Sequence, residues 1–184
     1  RPARMISAGA NFSTDRGAGG DVSWENRNLF GQQETLSLKA AGDFVEQSLT
    51  ADFRKPHVGR YDQAVLANAA ALRQDTDAYR ERTVTSYVGV ERKFADVWSG
   101  RVGPSLDYSV LDDNSGERTF LIAGLPASVT RDTTDSALDP TRGTRLTAAL
   151  TPSFGTLEKS IAFLTQEVGG SAYLSAMPDD RLVL

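Results

Sequence analysis

Cysteine is absent from the 184-residue chain, which excludes disulfides and thiolate metal sites. His57 is the single histidine. It sits in Lys55-Pro56-His57-Val58-Gly59, a turn, so neither a zinc set nor a Ser-His-Asp triad can be assembled. No window holds about 18 consecutive apolar residues, which excludes a membrane-spanning helix. A basic stripe is also missing: 20 Lys and Arg mix with 24 Asp and Glu for a net charge of -4. Nucleic acid is therefore not an expected partner. Arg1-Pro2-Ala3-Arg4 is followed by mixed residues rather than an apolar core, so the chain is expected to begin after a removed leader or inside a longer protein.

What is present is period-two alternation. Leu36, Leu38 and Ala40 alternate with Thr35, Ser37 and Lys39. Leu49, Ala51 and Phe53 alternate with Ser48, Thr50, Asp52 and Arg54. Val84, Ser86, Val88 and Val90 alternate with Thr83, Thr85, Tyr87 and Glu91. Val102, Pro104, Leu106, Tyr108 and Val110 alternate with Arg101, Ser105, Asp107 and Ser109. Leu146, Ala148 and Leu150 alternate with Arg145, Thr147 and Thr151. Successive strand side chains point to opposite faces, so each segment has an apolar wall and a polar, charged wall. The Ala-rich stretch 66–73 would suit a helix, but alternating segments flank it. Turn residues break the chain at 14–20, 111–116, 139–143 and 178–180. Strands are expected at 5–13, 20–28, 33–42, 47–55, 63–73, 81–93, 97–111, 118–131, 143–152 and 162–176, with an eleventh from Arg181. Most are longer than the usual soluble strand and reach the roughly 9–11 residues that cross a bilayer.

Alternation alone serves two architectures. A soluble sandwich packs its apolar wall on a second sheet, whereas a transmembrane barrel presents it to lipid and encloses water with the other. In the barrel, Asp52 with Arg54, Arg101 with Asp107, and Arg145 would form a wet, ion-paired interior. Trp24, Phe30, Phe94, Trp98 and Tyr173 would form girdles at the membrane edges.

Two stretches favour the barrel. Ser13-Thr14-Asp15-Arg16-Gly17 precedes Val22-Ser23-Trp24-Glu25-Asn26-Arg27-Asn28-Leu29-Phe30-Gly31. Further on, Asp132-Thr133-Thr134-Asp135 precedes Leu138-Asp139-Pro140-Thr141-Arg142-Gly143. In order and spacing these resemble the opening strands, and the turn after the eighth strand, of the bacterial surface-antigen superfamily of outer-membrane protein assembly factors. The similarity is closest to its translocation and assembly module branch and covers nearly the whole chain. It implies an all-β fold: an antiparallel transmembrane β-barrel, with residues 1–184 supplying about 10–11 of sixteen strands. The polypeptide-transport-associated domains that precede such barrels, their closing strands and their V-R-G-F/Y loop motif do not occur in this sequence. An open, curled sheet is thus expected of this chain alone.

The resemblance further implies a protein of the bacterial outer membrane that assembles or translocates outer-membrane proteins or autotransporters without covalent chemistry. Its partners would be the lipid bilayer, unfolded substrates and an inner-membrane-anchored, periplasm-spanning protein. No cofactor is implied. Met5, Ile6, Ser7, Ala8, Gly9, Ala10 and Asn11 would form the edge strand that meets substrate, with Gly9 either loosening a seam or easing a bend. Asn28, Leu29, Phe30 and Gly31, and Leu138 to Gly143, would be structural turns. Asp139-Pro140 would start a turn, and Gly143 would take positive φ. A passive channel and a soluble binding sandwich remain the alternatives. The loop acids Asp112, Asp113 and Glu117 lack calcium-loop spacing. Gly-rich 16–20 lacks the Lys and helix of a phosphate loop. Glu25, Glu91 and Glu167 carry no independent sign of glycosidase chemistry.

Overall fold

The computed structural model describes residues 3–157 and 159–174. Its elements are all strands: β1 (Arg4–Ser13), β2 (Gly17–Asn26), β3 (Thr35–Gly42), β4 (Glu46–Pro56), β5 (Gln63–Asp75), β6 (Tyr79–Ala95), β7 (Trp98–Val102), β8 (Ser105–Asp113), β9 (Gly116–Gly124), β10 (Ala127–Asp132), β11 (Gly143–Leu157) and β12 (Lys159–Tyr173). They form one 12-stranded sheet. Among the described residues β1 pairs only with β2, and β12 only with β11. The sheet is therefore open, with those two strands as its edges.

Twelve segments amount to ten continuous strands. The segment expected at 97–111 appears as β7 and β8, and that at 118–131 as β9 and β10. The breaks fall at Pro104 and Pro126, which have no N–H to give to the ladder. The register nevertheless continues through both. Val90 pairs with Val102 and Tyr87 with Ser105, three residues on along each strand. Leu150 pairs with Ala127 and Ser153 with Gly124 in the same way. Prolines here interrupt hydrogen bonds without ending strands: Val88 N–H still reaches Pro104 O at 3.1 Å, and Leu125 N–H reaches Pro152 O at 3.0 Å. Two expectations are corrected. The connection left between the expected strands 143–152 and 162–176 is mostly strand, because β11 and β12 stay paired as far as Leu157 and Lys159. The opening of β2 moves from 20 to Gly17, because Ser13 pairs directly with Gly17. The eleventh strand from Arg181, the end of the segment expected at 162–176 and the turn at 178–180 lie outside the described residues.

The two walls follow the alternation. One register row runs Ile6, Trp24, Leu38, Ala51, Ala69, Ser86, Leu106, Ala123, Phe154. The adjacent row, on the opposite face, runs Met5, Glu25, Ser37, Asp52, Asn68, Tyr87, Ser105, Gly124, Ser153. The apolar wall is uncovered: Ile6, Leu49, Val84 and Val88 are all more than half exposed. Ala64 is the one buried hydrophobic residue among those described. A sandwich needs a second sheet and a dry interior, and this sheet has neither. So large a bare apolar face suits contact with lipid.

Its height supports that. On β6, outward-facing Arg82 and Arg92 bracket Val84, Ser86, Val88 and Val90. Ten residues at about 3.3 Å each span roughly 33 Å. A strand tilt near 40° reduces this to about 25 Å, the height of the apolar band on an outer-membrane barrel. On β5, which pairs with β6, Gln63 and Arg73 bracket Val65, Ala67, Ala69 and Ala71 at the same spacing.

Candidate functional site: the first-strand edge, the inner wall and two braced turns

The hydrogen-bond phase of β1 determines what its free edge presents. Arg27 N–H donates to Ala3 O at 2.8 Å. Bonded and non-bonded pairs alternate in an antiparallel ladder, so Met5, Ser7, Gly9 and Asn11 spend their backbone groups on Glu25, Ser23, Asp21 and Gly19. The N–H and C=O groups of Arg4, Ile6, Ala8, Ala10 and Phe12 consequently point to the open side. Their side chains share the apolar wall, and Ala8 and Ala10 leave the backbone little shielded. The expected edge segment, Met5 to Asn11, thus divides into Ile6, Ala8 and Ala10, which face the edge, and four residues that hold β1 on β2. Gly9 makes room for a neighbour: a Cβ there would stand 2.6 Å from Asp21 Oδ1.

The inner wall carries charge, but the pairing differs from expectation. Arg54 Nη2 binds Glu91 Oε1 at 2.7 Å rather than Asp52. Asp52 accepts from Asn68 Nδ2 at 2.6 Å. Arg101 lies 5.6 Å over the Tyr87 ring instead of pairing with Asp107. Arg145 binds Asp132 at 2.7 Å. Asn68 and Asp132 stand directly opposite Asp52 and Arg145 on the neighbouring strands, about 5 Å away, whereas Arg54 and Glu91 meet across β5. Of the expected girdle aromatics, Phe94 and Trp98 stack with centroids 6.5 Å apart beside the β6–β7 turn, and Trp24 shares the apolar wall with Ile6. Tyr173 is opposite Gly143, in phase with Arg145 and Ser171. It belongs to the polar wall, a correction that only the register supplies.

Both motif turns are braced by a carboxylate that sequence reasoning passed over. In the first, Asn28 Oδ1 accepts from Gln33 N–H at 3.0 Å. Gly31 and Gln33 take positive φ, 89° and 66°. Glu34 is wholly buried; its Oε2 accepts from Phe30 and Gln32 N–H, and Lys55 Nζ lies 3.3 Å from its Oε1. Burial pushes the Glu34 carboxyl up, but these N–H groups and Lys55 outweigh it and hold it below its ordinary value. The brace leaves Phe30 at the tip, 71% exposed.

In the second turn, the brace is Asp135 and not Asp139. Asp135 accepts from Thr141 Oγ1 at 2.6 Å, Thr141 N–H at 3.0 Å and Arg142 N–H at 3.1 Å. The Thr141 hydroxyl, then the Arg142 and Thr141 N–H groups, hold its carboxyl down to about 2. Asp139 instead gives its N–H to Ser136 Oγ at 3.2 Å. Pro140 separates the two halves of the turn, and Leu138 is 98% exposed. Gly143 has φ 107°. A signal for Glu34 and Asp135 existed, since each is an acid at one end of a Gly- or Pro-containing turn.

His57 takes φ 58° and stacks on Tyr61 at 4.3 Å, its Nδ1 2.7 Å from Tyr61 O. Among the described residues no three His, Asp or Glu side chains gather as metal ligands.

A one-layer antiparallel sheet with an exposed apolar face, a charged opposite face and belt-high strands is the wall of a transmembrane β-barrel. The model of the Omp85 superfamily domain matches residues 28–184; the chain belongs to that superfamily. Among solved structures, it is similar to BamA from Haemophilus ducreyi lacking POTRA domains 1-3, with a TM-score of 0.77 and 13% identity. That match covers 100% of this chain and 40% of BamA's, so the chain spans well under half of the protein it matches. No curated protein sequence matches.

Proposed function

We propose that this chain forms part of an outer-membrane barrel that inserts or translocates other outer-membrane proteins, with β1 as the strand on which an incoming strand pairs. The observation that carries the reading is the free backbone edge of Ile6, Ala8 and Ala10. Unpaired N–H and C=O groups cannot persist in hydrocarbon. They are either covered by another strand of the barrel or offered to a substrate strand, which adds by main-chain hydrogen bonds. Small outward side chains at Ala8 and Ala10 let such a strand approach whatever its sequence. The process exchanges hydrogen bonds and breaks no covalent bond. The finer form of the reading is the translocation and assembly module role, with autotransporters as substrates and an inner-membrane-anchored partner spanning the periplasm.

The parity of β1 provides the test. Proline at position 8 removes an N–H that faces the open edge, whereas proline at position 7 removes one that binds β2. In the full-length protein, Ala8→Pro should leave the barrel folded, with heat-modifiable migration retained, and abolish substrate insertion into vesicles. Ser7→Pro should damage the barrel itself. Full insertion by a folded Ala8→Pro protein rejects the reading.

A further inference from the structure

The apolar band ends, on the side of the β5–β6 hairpin, in two arginines placed directly opposite each other. One register row of the lipid-facing wall runs Leu49, Ala71, Val84, Tyr108, Leu121. The next row outward on that wall runs Gln47, Arg73, Arg82, Val110, Thr119. It holds two cations and no acid. The row beyond holds Asp75, Arg80, Asp112 and Glu117. Cations thus border the acyl region immediately, and carboxylates stand further out.

The pair is poorly neutralised from within. Asp75 Oδ1 accepts from Arg80 Nε at 3.2 Å, and Asp75 Oδ2 lies 3.9 Å from Arg73 Nη2. Arg82 has no ion pair or hydrogen bond among the described residues, and it is exposed. Like charges directly opposite in a sheet repel, and a guanidinium beside hydrocarbon needs a partner at the headgroup level. At the other rim, Lys55 and Arg92 each have an acid, Glu34 at 3.3 Å and Asp62 at 3.3 Å.

We infer that Arg73 and Arg82 form a binding site for the phosphomonoester head of an anionic membrane lipid. Two guanidinium forks with Cβ atoms about 5 Å apart can grip one phosphate from both sides. Their two charges match a monoester, which carries about -1.5 to -2, better than a singly charged diester. The source is lipid and not free phosphate, because the site adjoins Val84, Ala71 and Tyr108, against which acyl chains lie. The inference needs only the lipid-facing wall and is independent of any templating by β1.

The experiment uses the full-length protein in phosphatidylcholine nanodiscs, titrated with fluorescent diphosphoryl lipid A. R73Q/R82Q should bind about tenfold more weakly, and R73K/R82K should fall between it and the parent. Millimolar inorganic phosphate should not displace the lipid, and phosphatidylglycerol should bind more weakly than lipid A. Unchanged binding by R73Q/R82Q overturns the site. Displacement by inorganic phosphate overturns the lipid source, and equal binding of phosphatidylglycerol overturns the monoester assignment. Heat-modifiable migration reports folding; if the double variant fails it, R82Q carries the same test.

Discussion

Replacing Gly103 with alanine should be among the most damaging single-methyl changes in this barrel wall. Gly103 is buried between β6 and β10, beside the proline break that separates β7 from β8. A Cβ at that position would stand 2.0 Å from Val88 O, 2.3 Å from Gly89 Cα and 2.8 Å from Val88 C. Contacts under about 3 Å are not tolerated, so one strand must retreat by about 1 Å. The obstacle is backbone, which cannot rotate away as a side chain would. Val88 is itself tied to Pro104 O at 3.1 Å. Gly89 has no slack to offer, because the Tyr87 ring already occupies the space where its own Cβ would be, with Oη 2.1 Å from that point. Inserted methyl groups in packed sites cost about 1–3 kcal/mol. An obstacle made wholly of β6 backbone places Gly103→Ala near the top of that range, about 3 kcal/mol. With a urea slope of about 1–3 kcal/mol/M, the unfolding midpoint should fall by about 1 M or more. The assay is equilibrium urea unfolding of the full-length protein in vesicles, followed by tryptophan fluorescence and heat-modifiable migration. Gly169→Ala is the matched control: a Cβ there meets nothing within 4 Å and no positive φ is involved. It should be neutral or stabilise by up to about 1 kcal/mol. A Gly103→Ala midpoint that matches that of Gly169→Ala would refute the steric reasoning.

Three further outcomes are expected. Asp135 has its carboxyl held at about 2, below the ordinary 3.8. Its bracing of Thr141 and Arg142 is therefore complete above the ordinary value and is lost as pH falls through about 2. Amide protection of Thr141 and Arg142 should drop over that acid range in the parent, and should be lower and insensitive to it in Asp135→Asn. Glu34→Ala removes the acceptor for Phe30 and Gln32 N–H and leaves Lys55 unpaired, so limited proteolysis should cut within residues 28–33 of the variant and spare the parent turn. The Arg54–Glu91 pair lies on a wet wall with both side chains about a third or more exposed. Arg54→Gln should change stability by no more than about 1 kcal/mol in the same urea assay.

The sequence by itself determined which wall each residue joins. Alternation depends only on the pleat, so Val84, Val88, Leu106 and Leu146 fell on one side and Asp52, Tyr87 and Arg145 on the other before any partner strand was known. Turn chemistry was equally local, which is why Gly143 and the break after Ser13 were legible. Pro104 and Pro126 were placed inside the expected strands 97–111 and 118–131, and the register continues through both. What only the tertiary structure decided was who meets whom. Arg54 and Glu91 are 37 residues apart in the chain, and Arg73 and Arg82 look unrelated until β5 and β6 are set in register. The same holds for the parity of β1, which selects Ile6, Ala8 and Ala10 as the free edge, and for the choice of Glu34 and Asp135 as braces. Register is a relation between strands, and a slip of one residue would reverse every facing while leaving the local pattern untouched. The faces are thus a property of each segment, whereas the contacts that give them chemistry belong to the pairing.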